Sequence, residues 1–178
     1  MAQRPIFIVN SDNTESVNYL TKDVNFKWYP GYAMVQKRKS ILSLHENANL
    51  DRVLQILEVS SKSENALGIC LSAFNLKVHV DGVGTIPLEC AYQGAKVFEF
   101  GGPYVDLFKK SPFKIKKDER LRNSGVIKSF EFNGNFFDNI PTTYFYNWLY
   151  INALHENRKF SKEVINFDAF TDIEFNPK

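Results

Sequence analysis

The amino-acid sequence predicts an α+β fold, mainly helical, built as a single domain with small antiparallel strand pairs. Three observations carry that reading. Apolar residues recur at helical spacing in several segments, short runs alternate apolar and polar residues beside turn signals, and no regular strand–helix alternation marks a doubly wound sheet. A chain of 178 residues falls within the usual size of one domain and can bury a sizeable core.

The elements follow in order. RPIFIVN is a short apolar run ended by Asn10-Ser11-Asp12-Asn13, a strand and then a turn. VNFKWYPG alternates Val24, Phe26 and Trp28 on one face before a Pro30-Gly31 turn. A helix is predicted over residues 33–48, with Met34, Val35, Ile41, Leu42 and Leu44 at rough helical spacing and Lys37, Arg38 and Lys39 outward. Leu50, Val53, Leu54 and Leu57 predict a further short helix, capped by Asn49 or Asp51. Leu76, Val78 and Val80 alternate with Lys77, His79 and Asp81, and Asp81-Gly82 is a strong turn signal. Together they predict a hairpin that delivers the chain into a helix starting near Leu88. Gly101-Gly102-Pro103-Tyr104 is read as the cap of that helix. VIKSFEFNG is a strand, and PTTYFYNWLYINALHEN is a helix with Tyr144, Trp148, Ile151 and His155 down one face. A last short helix takes Ser161 as its cap. Residues 1–58 are expected to form an N-terminal extension packed on a domain of residues 59–178.

Composition excludes several classes. Hydrophobic residues make up 44% and charged residues 24%, ordinary values for a soluble protein, and the net charge of +2 gives no bulk argument for nucleic acid. Cys70 and Cys90 are too few for a disulfide framework or a zinc cluster and suit buried thiols in a reducing compartment. The N-terminus lacks a secretion signal and no run is long enough to span a membrane, so a cytoplasmic location is expected. His45, His79 and His155 show no metal-ligand spacing, and neither metal nor cofactor is expected. Aromatics reach 15%, enough to spare a few rings for stacking on a flat ligand.

Two features point to chemistry. Residues 101–128 hold Lys109, Lys110, Lys114, Lys116, Lys117, Arg120, Arg122 and Lys128 against Asp106, Asp118 and Glu119, eight positive charges against three negative. That segment can contact a pyrophosphate or a nucleic-acid backbone, with Phe108 and Phe113 interleaved as in single-strand binders, or can simply be an exposed charged loop. Lys116, Lys117, Arg120 and Arg122 are the candidate phosphate contacts. In IPLECAYQGAK, helical winding places Glu89, Gln93 and Lys96 in one polar stripe among small apolar residues, converging on a ligand or forming a solvated face. Gly94 weakens such a helix and can permit a close approach.

Residues 59–97 resemble the opening of the NADAR (YbiA-like) superfamily. That pattern runs Leu-Ser-Asn-Phe, an Asp-Gly turn, then Ser-Glu-His-x-Tyr/Phe-Gln-x-x-Lys. Here stand Leu71-Ser72-Ala73-Phe74, Asp81-Gly82 and Leu88-Glu89-Cys90-Ala91-Tyr92-Gln93-Gly94-Ala95-Lys96. NWLYINALHENRKF resembles the family's later segment, with Trp148 at its tryptophan. Two departures stand out. Ala73 replaces the usual Asn, for which Asn75 can substitute two residues on. The family's late Asp-x-x-Trp-Gly segment has no counterpart after Phe170, so the domain reads as shortened or divergent there, with Asp172 and Glu174 the late carboxylates.

The resemblance implies an N-glycosidase that hydrolyses a ribosyl C1–N bond, most naturally removing ADP-ribose from guanine bases in nucleic acid as the antidote to a cognate ADP-ribosylating toxin. It implies Glu89, Lys96 and Asp172 as catalytic residues, with Ser72, Phe74, Asn75, Tyr92, Gln93 and Trp148 holding substrate. Two alternatives stay open. One is the same chemistry on a free nucleotide such as a riboflavin-pathway intermediate, NAD or a cyclic ADP-ribose signal. The other is a non-catalytic module that binds ADP-ribose or a partner toxin.

Overall fold

The computed structural model describes residues 1–10, 18–48 and 54–175. The fold is α+β, with 38% helix and 28% strand among the described residues and three small sheets, so the mainly helical expectation gives way to a more even mixture. The chain divides into two compact units, Met1–Ser72 with Lys159–Lys178, and Ala73–Arg158.

The first unit is built on a four-stranded sheet. Strand β1 (Ala2–Asn10) pairs antiparallel with β2 (Asn18–Phe26) in register from Ala2 opposite Phe26 to Asn10 opposite Asn18. The short β9 (Ala169–Thr171) lies against β1 and runs parallel to β3 (Ile56–Glu58), giving the order β2-β1-β9-β3. Alternation turns Val24 and Phe26 into a core with Ile6, Leu54, Ala169 and Ile173, and Trp28 packs at its margin. Helix α1 (Met34–Ala48) adds Ile41, Leu44 and Ala48 to that core, while Met34, Val35 and Leu42 stay exposed. Two buried serines fix its position: Ser43 Oγ accepts from Lys27 N–H at 3.1 Å and Ser40 Oγ from Tyr29 N–H at 2.9 Å. Leu57 belongs to a strand and not to the predicted helix, because β9 offers a pairing partner from far along the chain. The proposed caps Asn49 and Asp51 lie outside the described residues, as does the Ser11-Asp12-Asn13 turn. A six-residue helix α2 (Ala66–Leu71) follows, its N-terminus capped by Asn65 Oδ1, which accepts from Leu67 N–H at 2.9 Å.

The second unit begins with the expected hairpin, β4 (Lys77–Val80) and β5 (Gly84–Pro87), in register from Lys77 opposite Pro87 to Val80 opposite Gly84. It leads into α3 (Leu88–Gly94) and then β6 (Lys96–Phe98). β6, β7 (Ile127–Phe132) and β8 (Asn135–Asp138) form an antiparallel three-stranded sheet. Between β6 and β7 the chain makes a 3-10 helix (Val105–Lys109) and the short helices α4 (Pro112–Ile115) and α5 (Arg120–Asn123). Gly101 bridges back to Phe98, so the Gly-Gly-Pro-Tyr run follows a strand and does not cap the helix. Helix α6 (Tyr144–Glu156) buries Phe145, Leu149 and Ala153. That face lies one residue round from the predicted one, since apolar residues surround this helix and the packed sheet decides which side is covered. The last helix, α7 (Arg158–Val164), begins before Ser161, which is therefore inside it and not its cap.

Candidate active site

The hairpin fixes the start of α3 without a side-chain cap. Leu88 N–H donates to Leu76 O at 2.8 Å and Glu89 N–H to Ala73 O at 2.9 Å, so the first amide donors, orphans at any helix start, are taken up by the preceding chain. Those bonds set the rotation of the helix. Cys90 and Ala91 face the core, and Glu89 and Gln93, one turn apart, share a side.

The helix then stops at Gly94, and Lys96 opens β6. All three polar side chains were expected on one helical face; the structure places the third beyond the helix end. The cause is local. A Cβ at Gly94 would run into the Phe108 ring and the Tyr104 carbonyl, Ala95 N–H closes the last helical bond to Ala91 O, and Glu131 N–H draws Ala95 O into the sheet at 2.8 Å. The glycine serves close packing within the protein.

The three head groups nevertheless meet. Gln93 Nε2 donates to Glu89 Oε1 at 3.1 Å, and Lys96 Nζ donates to Gln93 Oε1 at 2.7 Å. The amide thus bridges carboxylate and ammonium, presenting its donor to one and its acceptor to the other. Glu89 is only 8% exposed. Lys96 Nζ also lies over the Tyr92 ring, 4.7 Å from its centroid. Burial holds the Lys96 ammonium below the usual lysine range, partly opposed by the Glu89 carboxylate. Burial and the same carboxylate push the Tyr92 phenol up, and they raise the Cys90 thiol to about 11, which keeps it protonated. Gly102, at φ +88°, packs so closely on the Lys96 carbonyl that a Cβ there would overlap it.

Aromatic rings back this cluster. Tyr92 stacks on Phe130 and Phe145 at centroid distances of 5.5 and 6.1 Å and meets Tyr146 edge-on. Trp148 packs against Phe137 at 4.7 Å and lies parallel to Phe145. The two predicted stacking residues therefore join one ring cluster through Phe145, a residue that sequence reasoning did not single out. Phe74 sits beside Ala73, whose carbonyl holds Glu89, and meets Phe113 edge-on at 5.7 Å. Asn75 is exposed before β4.

Ser72 is buried at the end of α2 and its hydroxyl donates to Ile69 O at 2.8 Å. Asp172 belongs to the first unit, where its carboxylate receives Glu174 N–H. Arg120 is tied to two carboxylates, donating to Asp106 Oδ2 and Asp118 Oδ1 at 2.8 Å each, while Lys110 reaches the same pair at 3.3 and 3.0 Å. The Arg120 guanidinium, with Lys110, holds both carboxyls well below the usual range. Lys116, Lys117 and Arg122 are exposed. A cleft of about 440 Å³ in the second unit is lined by Val80, Asp81, Pro103, Phe108, Glu131 and Asn133, not by the Glu89 cluster. Among the described residues no group of three or more His, Cys, Asp or Glu side chains could hold a metal ion.

The first unit contains a buried polar cluster that no motif or spacing signals. Glu58, 3% exposed, accepts from the Thr171 hydroxyl at 2.6 Å and from Ile173 N–H at 2.9 Å, and His45 Nε2 is 2.9 Å from the same hydroxyl. Burial lifts the Glu58 carboxyl from 4.5 to about 7 despite those bonds, and burial lowers His45 from 6.5 to about 4. A cleft of about 170 Å³ adjoins them. His79 and His155 are exposed.

Among the described residues no helix is long and apolar enough to cross a membrane. No curated protein matches the chain. The family model described as "DarT1-associated NADAR antitoxin" matches residues 2–178. The chain belongs to that family, and membership implies removal of ADP-ribose deposited on DNA by a DarT toxin.

Proposed function

From that membership and the linked Glu89, Gln93 and Lys96 side chains, we propose that the protein is an N-glycosidase that hydrolyses the bond between ribose C1 and a guanine nitrogen in ADP-ribosylated DNA. The observation that best supports this is a buried carboxylate joined through one amide to a lysine that burial holds below the usual lysine range. Breaking a C1–N bond builds positive, oxocarbenium-like charge on the sugar, and a carboxylate at hand stabilises it.

Two routes use these groups. In the first, neutral Lys96 forms a bond from Nζ to C1 while the electron pair of the C1–N bond leaves with guanine, which takes up a proton. Glu89 accepts the proton shed by the new amine and passes it to the ring oxygen as the bond from C1 to that oxygen opens, leaving a protonated Schiff base between C1 and Nζ. Water adds at C1, and breaking the C1–Nζ bond returns Lys96 and free ADP-ribose. In the second, Glu89 takes a proton from water that attacks C1 directly. Either route consumes one water and returns unmodified guanine. Gln93 holds the two head groups in register, Tyr92 or Trp148 places the sugar or base, and the cognate toxin supplies the modified strand.

The test is release of ADP-ribose from ADP-ribosylated guanine oligonucleotides. Glu89→Gln and Lys96→Ala should each slow release by about a hundredfold or more, the ordinary scale of a lost general base or nucleophile. Equal rates for wild type and both variants remove the proposal. Borohydride separates the routes, since a trapped sugar adduct in wild type but not in Lys96→Ala marks the lysine route.

A further inference from the structure

The charges of the segment between β6 and β7 sort into two groups. Asp106 and Asp118 neutralise Lys110 and Arg120 in a closed network. Lys109, Lys114, Lys116, Lys117 and Arg122 remain exposed against two exposed acids, Glu99 and Glu119, an excess of three positive charges (five less two). The network therefore neutralises the inner charges and sets the outer cations apart.

Aromatic rings sit among those outer cations. Ile115 is fully buried and anchors α4, which turns Phe113 outward to 68% exposure. The Phe113 ring meets Phe74 at 5.7 Å, and Lys116 Nζ lies 4.3 Å from the Phe74 centroid. An exposed ring amid lysines offers a face on which a flat, negatively charged ligand can stack. This surface is also fastened to α3: Cys90 Sγ donates to Lys110 O at 3.3 Å, and Ala73, next to Phe74, accepts from Glu89 N–H.

The geometry points to a docking platform for single-stranded DNA, on which a base flanking the modified nucleotide stacks against Phe113 and Phe74 while Lys114, Lys116, Lys117 and Arg122 contact phosphates. Stacking on exposed rings needs an unpaired base with a free face, and a basic track needs a backbone running beside it; single strands offer both, and duplexes hide the first. The inference rests on the reading of ADP-ribosylated DNA as substrate.

The experiment measures binding of an unmodified, fluorescently labelled oligonucleotide by anisotropy, single-stranded and as duplex, across a salt series. Wild type should prefer the single strand, and Phe113→Ala should weaken binding about tenfold, within the range for one lost base–ring stack. The double variant Lys114→Gln/Lys117→Gln should flatten the slope of log affinity against log salt by about 1.4, two phosphate contacts at about 0.7 each. Equal affinity of Phe113→Ala and wild type, preference for duplex, or an unchanged salt slope overturns the platform, as does binding only to an acidic partner protein. The two readings fail separately. Loss of ADP-ribose release with strand binding intact concerns the catalytic proposal, and ADP-ribose release with no effect at Phe113 concerns the platform.

Discussion

Replacing Glu58 by Gln should make the protein more stable, and by an amount that depends on pH. The carboxyl is buried, and its ordinary value of 4.5 is raised to about 7, with burial the leading cause and Asp172 adding repulsion. A group raised in the folded state contributes stability that is complete below its unfolded value and is lost as pH rises through its folded one. The lift from 4.5 to about 7, at about 1.4 kcal/mol per pH unit, corresponds to roughly 3 kcal/mol. Glutamine keeps an oxygen to accept from Ile173 N–H and never ionises. Urea unfolding across a pH series should therefore find the two proteins similar near pH 4.5. The variant should gain roughly 3 kcal/mol over wild type above pH 7. A constant difference across that range refutes the reasoning.

His45 makes the experiment sharper. Its imidazole is lowered from 6.5 to about 4, so it contributes stability that is present above 6.5 and lost as pH falls through 4. Across pH 4.5 to 6.5 the two groups oppose each other, and their sum in wild type is nearly flat. Removing Glu58 should unmask the His45 slope, with stability rising toward neutral pH.

Gly94→Ala should destabilise the second unit despite favouring helix: alanine contributes about 1 kcal/mol of propensity. Its methyl meets the Phe108 ring, an overpacking that costs about 1–3 kcal/mol; a higher melting temperature would contradict it. If Lys96 reacts as a neutral amine, single-turnover release should rise with pH along a limb centred below the ordinary lysine value of 10.5. Gln93→Ala removes an acceptor from the ammonium and should move that limb to lower pH while reducing the plateau rate; a move to higher pH would contradict it. Asp118→Asn breaks its pairs with Arg120 and Lys110 and should lower the melting temperature at neutral pH. The gap should close as pH falls below 3.8, because a depressed carboxyl contributes only while ionised; a gap that persists in acid would point to packing instead.

What could be read from the sequence was local. Asp81-Gly82 with flanking alternation marks the hairpin, and the bounds of α1 follow from its own period. Glu89 and Gln93 share a side because they lie one turn apart within α3. Lys96 joins them by another path: a packed ring ends the helix at Gly94 and a strand returns the lysine, and neither Phe108 nor Phe130 is near in sequence. The same limit hides β3, whose partner β9 begins more than a hundred residues later, and the Glu58 cluster that their pairing closes. It also hides which face of α6 is buried, because rings on both faces satisfy the helical period. The basic segment is legible as composition, but its division into paired and outward charges depends on Asp106 lying fourteen residues from Arg120.

The amide between Glu89 and Lys96 has a consequence for the chemistry. A direct ion pair would favour the charged lysine: with an effective dielectric of about 20, unit charges about 3 Å apart attract by roughly 5 kcal/mol, and doubling the separation halves that. Such a pair raises an ammonium's proton affinity and removes the nucleophile. Interposing Gln93 keeps the carboxylate within reach of the same sugar carbon while weakening its hold on the proton of Lys96, so burial wins and the amine is lowered. An amide, being neutral and both donor and acceptor, binds both partners without choosing a charge. Gln93→Glu is then the discriminating change: an added carboxylate against Lys96 should raise the amine's proton affinity, slow ADP-ribose release at neutral pH and move the alkaline limb to higher pH. A rate equal to wild type at neutral pH would show that the neutral amine is not the reacting species.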